Sequence, residues 1–194
     1  MGKSRLEAFS DGVIAIIITI MVLELKVPHG HELDALRPLV PIFASYLLSF
    51  VLVGIYWNNH HHLLHVAKHV DAKVMWSNLH LLFWLSLVPF ATAWLGESHN
   101  ASVPTAAYGA VMVMAAVAYT ILQIVVLRQH PTDSPVVKPF VGDKKGKISL
   151  VCYASTIPLA FVQPILSDVL FVVVAGIWLL PDRRVEKAAL SRTE

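Results

Sequence analysis

The sequence predicts an all-α integral membrane protein with six transmembrane helices per chain, and three observations support this fold class. The 194 residues are 56% hydrophobic and only 14% charged, a composition that would leave a soluble domain with too much uncovered apolar surface. Apolar runs of membrane-spanning length recur along the chain. Lysine and arginine are concentrated in alternate connections between these runs, as in the cytoplasmic loops of membrane proteins.

The apolar runs predict the positions of the spans. A helix needs roughly 20 residues to cross a bilayer, or about 17 at the short end. The predicted spans are 7-25, 38-62, 74-95, 103-127, 148-163 and 168-181. The last two are short and are interrupted by Pro158, Pro164 and Asp168, so they predict either two short helices or a re-entrant hairpin. Because no second polar block and no internal repeat is evident, residues 1-194 are expected to form one membrane domain.

The basic residues predict the orientation of the chain. With the N-terminus in the cytoplasm, all but two of the 15 lysines and arginines lie in cytoplasmic segments, the exceptions being Lys26 and Arg37. We therefore expect both termini to be cytoplasmic, in a multi-pass protein of a plasma membrane or cell inner membrane. The net charge of +2 is spread over loops, so the lipid bilayer is an expected partner and nucleic acid is not.

The first predicted helix begins with three polar side chains in an otherwise apolar segment. They are Arg5, Ser10 and Asp11. A carboxylate at membrane depth is costly unless it is paired or hydrogen-bonded, so Asp11 indicates a built feature of this helix. We expect Ser10 and Asp11 to face neighbouring helices.

A stripe of branched apolar residues follows on the same helix. At about 100° per residue, Ile16, Ile20 and Leu23 share one face with Thr19 at its margin, while Asp11 points nearly the opposite way. Such a stripe suits a narrow constriction that stays dry until it widens. Periodicity alone favours the simpler interpretation of an ordinary helix-packing surface.

Histidines are concentrated at the end of the second predicted helix. His61, His65 and His69 are spaced i, i+4, i+8 on one helical face, and this spacing can offer imidazoles to a metal. We favour a polar helix end at the membrane interface, because a hydrolytic or oxidative metal site usually adds ligands from other helices and only His80 lies within another span. Phosphate-loop and nucleophile-elbow patterns are also lacking. The sequence therefore predicts no enzyme, no catalytic residue, no structural metal and no cofactor.

Trp76 and Asn78 lie near the start of the third predicted helix, at about the depth of Asp11 and His60. An aromatic belt at the membrane interface accounts for a tryptophan there, whereas a buried asparagine requires hydrogen-bond partners. A polar network that fixes the first helix is the expected result. Its expected members are Arg5, Ser10, Asp11, His60, Trp76 and Asn78.

Three short motifs in the first three helices carry a family resemblance. The motifs are R-x-x-x-F-S-D at Arg5, Phe9, Ser10 and Asp11, W-x-x-H-H at Trp57, His60 and His61, and W-x-N at Trp76 and Asn78. In this combination the sequence resembles the transmembrane-protein-175 family of potassium channels. The resemblance covers roughly half of the chain, and helices four to six agree with the family only in number and polarity.

The resemblance implies a potassium-selective channel whose pore is lined by the first helix of each subunit and conducts K⁺ passively. Members with one six-helix repeat assemble as tetramers, so a homotetramer is implied. The family's hydrophobic constriction maps to Ile16, with Ile20 and Leu23 as further layers, and its threonine layer maps to Thr19. No carbonyl filter loop is implied, and the sequence has no TVGYG segment. The family's polar network maps to the six residues given above, with the triple histidine at 60-62 as a departure from the pattern.

Glu24 lies at the outer end of the first helix. It either raises the local concentration of cations or is simply a solvated helix end. Two other classes of function stay open at this point. The proline-interrupted fifth segment is compatible with a secondary ion carrier, and the histidines are compatible with a membrane metalloenzyme that would lose its metal on His61→Ala.

Overall fold

The computed structural model describes residues 2-98, 101-131, 134, 137 and 143-179. These residues form seven α-helices, one 3₁₀ helix and no strand, which confirms the all-α prediction. The α-helices are α1 (Lys3–Leu23), α2 (Val40–Val66), α3 (Ala72–Ser86), α4 (Val88–Glu97), α5 (Ser102–Leu127), α6 (Lys144–Val162) and α7 (Pro164–Leu179), and the 3₁₀ helix is Leu33–Leu39.

Four helical segments in the described part of the chain are long and apolar enough to cross a membrane. They are Lys3–Leu23, Leu33–Val66, Ala72–Glu97 and Ser102–Leu127, whereas Pro164–Leu179 is a shorter apolar helix. Both α1 and α2 continue past the expected spans 7-25 and 38-62 at their polar ends, because a helix does not have to stop where its apolar run stops. Residues 180-181 of the last expected span, and the basic C-terminal segment, lie outside the described residues.

Side-chain contacts show that α1 and α2 run antiparallel. Lys3, at the start of α1, donates to the backbone carbonyl of His65 near the end of α2. Two to three turns further along α1, the Asp11 carboxylate accepts a hydrogen bond from the Trp57 indole at 2.9 Å. Residue numbers thus rise along one helix as they fall along the other, as expected of successive membrane crossings joined by a short connection.

The third segment is not one helix but two, α3 and α4, which meet at Leu87. Pro89 lies in the first turn of α4 and has no N–H to donate to the carbonyl four residues earlier, so the regular α-helical ladder cannot continue. The backbone N–H of Leu87 instead donates to the carbonyl of Trp84 at 3.2 Å, a tighter turn. The run 74-95, expected as a single span, therefore contains a break.

Helices α6 and α7 form an antiparallel hairpin with only Gln163 between them. The hydroxyl of Ser167 donates to the carbonyl of Thr156 at 2.8 Å, and the Trp178 indole donates to the hydroxyl of Ser149 at 2.8 Å, so the helices are paired along their length. They contain 19 and 16 described residues. At 1.5 Å per residue these lengths are roughly 28 and 24 Å, close to the thickness of a bilayer core. Both alternatives given for this region, two short spans and a re-entrant hairpin, contain such a pair of helices.

Small residues allow close approach of the helices at two positions. A Cβ at Gly109 of α5 would lie 2.3 Å from the Thr156 hydroxyl of α6, and a Cβ at Gly96 of α4 would lie 2.9 Å from the Cα of Ile42 in α2. Close backbone approach of this kind is how membrane helices gain packing contacts without a hydrophobic driving force between them. The buried core takes side chains from all seven α-helices.

Candidate functional site

Helix α1 has one packed face and one uncovered face within the chain. Leu6, Ile14, Ile17 and Met21 are at most 3% exposed and pack against α2, α3 and α4. Ile16, Ile20 and Leu23 are 58%, 42% and 80% exposed. Thr19 is also exposed, as are Glu24 and the signature residue Phe9. The four side chains of the predicted stripe therefore share a surface that no other described part of the same chain covers.

The packed face is held by a buried chain of hydrogen bonds that joins the first three membrane segments. The Asn78 amide of α3 donates to the Ser10 hydroxyl of α1 at 2.9 Å, and Ser10 in turn donates to the carbonyl of Leu6 at 2.8 Å. The carbonyl oxygen of the same Asn78 side chain lies 2.6 Å from Nε2 of His60 in α2. Because an amide oxygen only accepts, this Nε2 carries the proton. We call this arrangement the Ser10–Asn78–His60 chain.

All three members of the Ser10–Asn78–His60 chain are at most 1% exposed. Water therefore cannot replace any of these bonds, and a lost partner leaves a buried polar group unsatisfied at a cost of about 1–3 kcal/mol. A polar contact that costs so much when broken fixes the rotation and depth of α1 relative to α2 and α3.

Asp11 has a partner of its own. Its carboxylate accepts the 2.9 Å hydrogen bond from the indole N–H of Trp57, a residue that the motif W-x-x-H-H contains but that was not expected in the network. Asp11 is half-buried and Trp57 is 46% exposed, so the pair lies at the edge of the helix packing. The carboxylate at membrane depth is thus hydrogen-bonded, as its cost in an apolar environment requires.

Besides Asp11, two more of the six expected network members lie outside the Ser10–Asn78–His60 chain in the single chain. Trp76 is 67% exposed, and Arg5 is also exposed. The reason is helix geometry: two residues turn a helix by about 200°, so with Asn78 directed inward Trp76 is directed outward. The five residues from Arg5 to Ser10 likewise place those side chains about 140° apart. Within the single chain Arg5 and Trp76 therefore lie outside the Ser10–Asn78–His60 chain, and their part in the network stays a prediction.

A second buried contact holds the other half of α1 and was missed by sequence reasoning. The Thr92 hydroxyl of α4 donates to the Ser49 hydroxyl of α2 at 2.7 Å, and Ser49 lies 2.9 Å from the Tyr108 hydroxyl of α5. Thr92 also lies against the sulfur of Met21 in α1 at 4.0 Å. Serine and threonine in apolar helices usually bond their own backbone, so their positions alone gave no signal of this cluster.

At the far end of α1 the charges are arranged around Lys26. Its ammonium lies 2.5 Å from the carboxylate of Glu97 at the end of α4, and both side chains are largely exposed. The hydrogen bond to Glu97 raises the pKa of Lys26 above its ordinary value, and the charges of Glu97 and Glu24 add to this. Glu24 itself is exposed at the C-terminal end of α1.

The histidines do not share one helical face as predicted, because α2 ends at Val66. His69 lies beyond the helix end, and its backbone N–H and C=O are both bonded by the side chain of Gln129. His61 and His65 remain on the helix with their rings stacked 6.5 Å apart. Within the described ranges, no three His, Cys, Asp or Glu side chains are grouped so as to hold a metal ion. His80 accepts a hydrogen bond from Trp84, one turn further along α3, at 3.0 Å.

These features define a class of protein: a helical integral membrane protein whose first helix is fixed on one face by buried hydrogen bonds and left bare on the other. A family model described as endosomal/lysosomal potassium channel TMEM175 matches residues 5–89. A Chryseobacterium protein described as a potassium channel is 51% identical over 97% of this chain and 98% of its own. The chain belongs to the TMEM175 family.

Two further comparisons extend the likeness along the chain. A Streptomyces collinus protein, also described as a potassium channel, is 37% identical over 83% of this chain and 84% of its own. The crystal structure of a TMEM175 homologue from Chamaesiphon minutus, described as a lysosomal potassium-selective channel homologue, matches with a TM-score of 0.79 and 31% identity. It covers 92% of this chain and 96% of that one. The resemblance that the first three helices indicated is thereby confirmed, and it reaches the later helices as well.

Proposed function

We propose that this chain is a subunit of a potassium-selective channel and that α1 lines the ion pathway. The observation that carries the proposal is the uncovered face of α1, where Ile16, Thr19, Ile20 and Leu23 lie on a helix whose opposite face is firmly packed. Relatives that align over most of the chain are described as potassium channels, which supports the same function. The proposed function needs no catalytic residue and no cofactor other than the permeant K⁺.

The proposed pore is a hydrophobic neck formed by identical subunits, most simply a homotetramer. Copies of Ile16 facing one axis would enclose a space too narrow and too apolar for a hydrated cation, and Ile20 and Leu23 would form further layers. Such a neck excludes water until the helices splay or rotate. The constriction therefore acts as the gate, and no filter built from backbone carbonyls is needed.

Thr19 is the residue best suited to contact a partly dehydrated cation. Its hydroxyl proton is already donated to the carbonyl of Ile16 at 2.9 Å. Thr19 is exposed on the uncovered side of α1. Its hydroxyl oxygen keeps its lone pairs, which attract cations rather than anions. We propose that a ring of these oxygens contributes to the preference for K⁺ over Na⁺.

The contacts on the packed face of α1 hold the helix, and with it the gate residues, in a fixed orientation relative to the neighbouring helices. The Ser10–Asn78–His60 chain holds one half of α1, and Thr92 contacts Met21 in the other half. We propose that these contacts set the rotation of α1, and hence the direction in which Ile16 points. The Asp11–Trp57 hydrogen bond adds a third contact at the edge of the packing.

We further propose that both termini lie in the cytoplasm and that the protein resides in a cell inner membrane or plasma membrane. The concentration of lysine and arginine in alternate connections supports this orientation. The antiparallel pairs α1–α2 and α6–α7 are compatible with it. Lys138, Arg183, Arg184, Lys187 and Arg192, which contribute to that distribution, lie outside the described residues. Glu24 then faces the external solution, where its charge raises the local concentration of cations.

The proposal is tested by K⁺ flux from liposomes that contain the purified protein. Ile16→Asn is expected to wet the neck and to increase passive K⁺ flux. The matched control is Ile121→Asn, the same change on the exposed side of α5, at a residue that is 39% exposed. The control should leave the flux unchanged. Equal fluxes from wild type and Ile16→Asn would overturn the assignment of the gate, and saturable uptake coupled to a counter-ion would indicate a carrier instead.

A further inference from the structure

A small cavity lies between α2, α5, α6 and α7. Its volume is about 40 Å³, and its wall includes Tyr56 of α2, Tyr119 of α5, and Ser149 and Tyr153 of α6. A water molecule needs about 10–15 Å³ of such space, so the cavity has room for roughly three. It is far smaller than the pockets that hold organic ligands, which start at about 300 Å³.

Two tyrosines in this wall have hydroxyls without a hydrogen-bond partner among the described residues. The side chains of Tyr56 and Tyr153 are 9% and 3% exposed. In the part of the chain that the structure describes, the one side-chain oxygen or nitrogen that is both inaccessible and unpartnered is Oδ1 of Asp168. The hydroxyl oxygens of Tyr56 and Tyr153 therefore keep some accessible surface. Because both residues line the cavity and are otherwise packed, that surface faces the cavity.

Ser149 adds a third hydroxyl to the same wall. Its oxygen accepts a hydrogen bond from the indole N–H of Trp178 at 2.8 Å, and the residue is 4% exposed. Its own proton has no acceptor among the described residues. Three hydroxyl groups that can each donate therefore line one cavity, and the two tyrosine oxygens can also accept. A buried water molecule typically makes about three hydrogen bonds to groups of this kind.

We propose that the cavity holds a cluster of roughly three ordered water molecules that connects Tyr56 of α2 to Tyr153 and Ser149 of α6. Water fits because the volume admits little else, and because an apolar occupant such as a lipid chain would leave the three hydroxyls unsatisfied. Water-mediated hydrogen bonds of this kind join helices at a small entropic cost. The cavity has no wall from α1, so the proposal does not depend on the channel function.

Water reaches the cavity from the end of the bundle at which α2 ends and α6 begins. Asn59, about two turns before the end of α2, and Asp143, the residue before α6, also line the cavity. Asp143 caps α6 by accepting a hydrogen bond from the backbone N–H of Gly146 at 2.8 Å. The cavity is thus close to the solution on that side and does not have to fill through the bilayer core.

The proposal is tested by water-edited solid-state NMR of the full chain in lipid bilayers. With ¹³C-labelled tyrosine, the spectra measure how fast magnetisation passes from water to each ring. Tyr56 and Tyr153 should receive it several-fold faster than Tyr108, the internal control, which is 0% exposed and whose hydroxyl lies 2.9 Å from that of Ser49. Transfer as slow as that to Tyr108, or transfer from lipid chains instead of water, would overturn the proposal.

Filling the cavity provides a second test. Ala116 lines the cavity, so Ala116→Leu should displace water and slow the transfer to Tyr56 and Tyr153. The matched control is Ala110→Leu, the same change at a half-buried position of α5 outside the cavity wall, which should leave the transfer unchanged. Transfer in Ala116→Leu as fast as in wild type would contradict the location of the water. The wild-type measurement decides the proposal even if Ala116→Leu fails to fold.

A third variant tests whether the tyrosines share the same water molecules. Tyr56→Phe should slow the transfer to Tyr153, because it removes one of the groups that hold the cluster. Tyr46→Phe, at a half-buried tyrosine of the same helix that does not line the cavity, should not. An unchanged rate for Tyr153 in Tyr56→Phe would overturn the connection between α2 and α6. None of these readouts needs ion flux, so failure here would leave the channel proposal intact, and the reverse also holds.

Discussion

The side-chain amide of Asn78 donates a 2.9 Å hydrogen bond to the hydroxyl of Ser10, and both residues are completely buried. The same amide group reaches His60 through its oxygen, so one side chain connects α1, α2 and α3. In the proposed channel α1 lines the pore and must resist rotation, because rotation would change which residues face the ions. We propose that the contact between Asn78 and Ser10 provides this resistance at the start of α1.

Asn78→Leu is expected to destabilise the protein by about 2–4 kcal/mol, because it leaves both Ser10 and His60 with unsatisfied buried groups. The measurement is unfolding of the purified protein in detergent. Trp76→Leu, two residues away and on the exposed side of α3, should change stability by under about 0.5 kcal/mol. Similar losses from the two substitutions would contradict the role assigned to Asn78.

Asp11 and Trp57 should be energetically coupled. A double-mutant cycle with Asp11→Asn and Trp57→Phe isolates their hydrogen bond, and we expect a coupling of about 1 kcal/mol because the pair is only partly buried. Stability in detergent is the readout. Strictly additive effects of the two substitutions would mean that the hydrogen bond contributes nothing.

Thr19→Val should lower the K⁺/Na⁺ permeability ratio, because it replaces a hydroxyl oxygen on the uncovered face by a methyl group. Thr19→Ser, which keeps the oxygen, should retain most of the ratio. The control is Thr120→Val on α5, which should leave the ratio unchanged. The Thr120 hydroxyl, like that of Thr19, donates to a carbonyl of its own helix, here that of Ala116. Reversal potentials in planar bilayers measure the ratio. A Thr19→Val channel with the wild-type K⁺/Na⁺ permeability ratio would show that Thr19 does not contribute to selectivity.

Lys26→Met should increase K⁺ current at low ionic strength, because it removes the positive charge that lies beside Glu24 and Glu97. The difference from wild type should disappear above about 150 mM salt, where exposed charges are screened. Glu32→Gln serves as the control for a charge change on the same side of the membrane. An effect of Lys26→Met that is independent of salt would contradict the electrostatic explanation.

The Lys26–Glu97 pair also predicts a pH dependence. The pKa of Lys26 is raised in the folded protein, so the contribution of the pair to stability is fully present below the ordinary lysine pKa of about 10.5. It is lost as the pH rises through the higher pKa of the folded state. Wild type and Lys26→Met should therefore differ in their stability to unfolding at neutral pH, and this difference should disappear in alkaline solution.

Much of the architecture could be predicted, because the bilayer determines where apolar runs occur and in which connections lysine and arginine are concentrated. The Ser10–Asn78–His60 chain was also within reach, since three polar residues at equal depth in apolar helices must find partners. Within one chain Arg5 and Trp76 match this depth but point in other directions around their helices. Two polar residues on neighbouring helices can form a hydrogen bond only if they match both in depth along the helix axis and in angle around it.

Other features needed the tertiary structure. The Ser49–Thr92–Tyr108 contacts could not be separated from hydroxyls that bond their own helix. The backbone that follows α2 is bonded by the side chain of Gln129, which lies 60 residues from His69 in the sequence. Pro89 was visible in the sequence, but whether it bends or ends a helix depends on packing. Long-range partners, rather than local propensity, decide these details.

An electron cryo-microscopy map of the assembled protein in lipid would show most directly whether α1 lines the pathway. We expect a ring of subunits with the Ile16 side chain of each α1 nearest the symmetry axis and Thr19, Ile20 and Leu23 on the same side. A map in which another segment borders the axis, with the exposed face of α1 turned toward lipid, would contradict it.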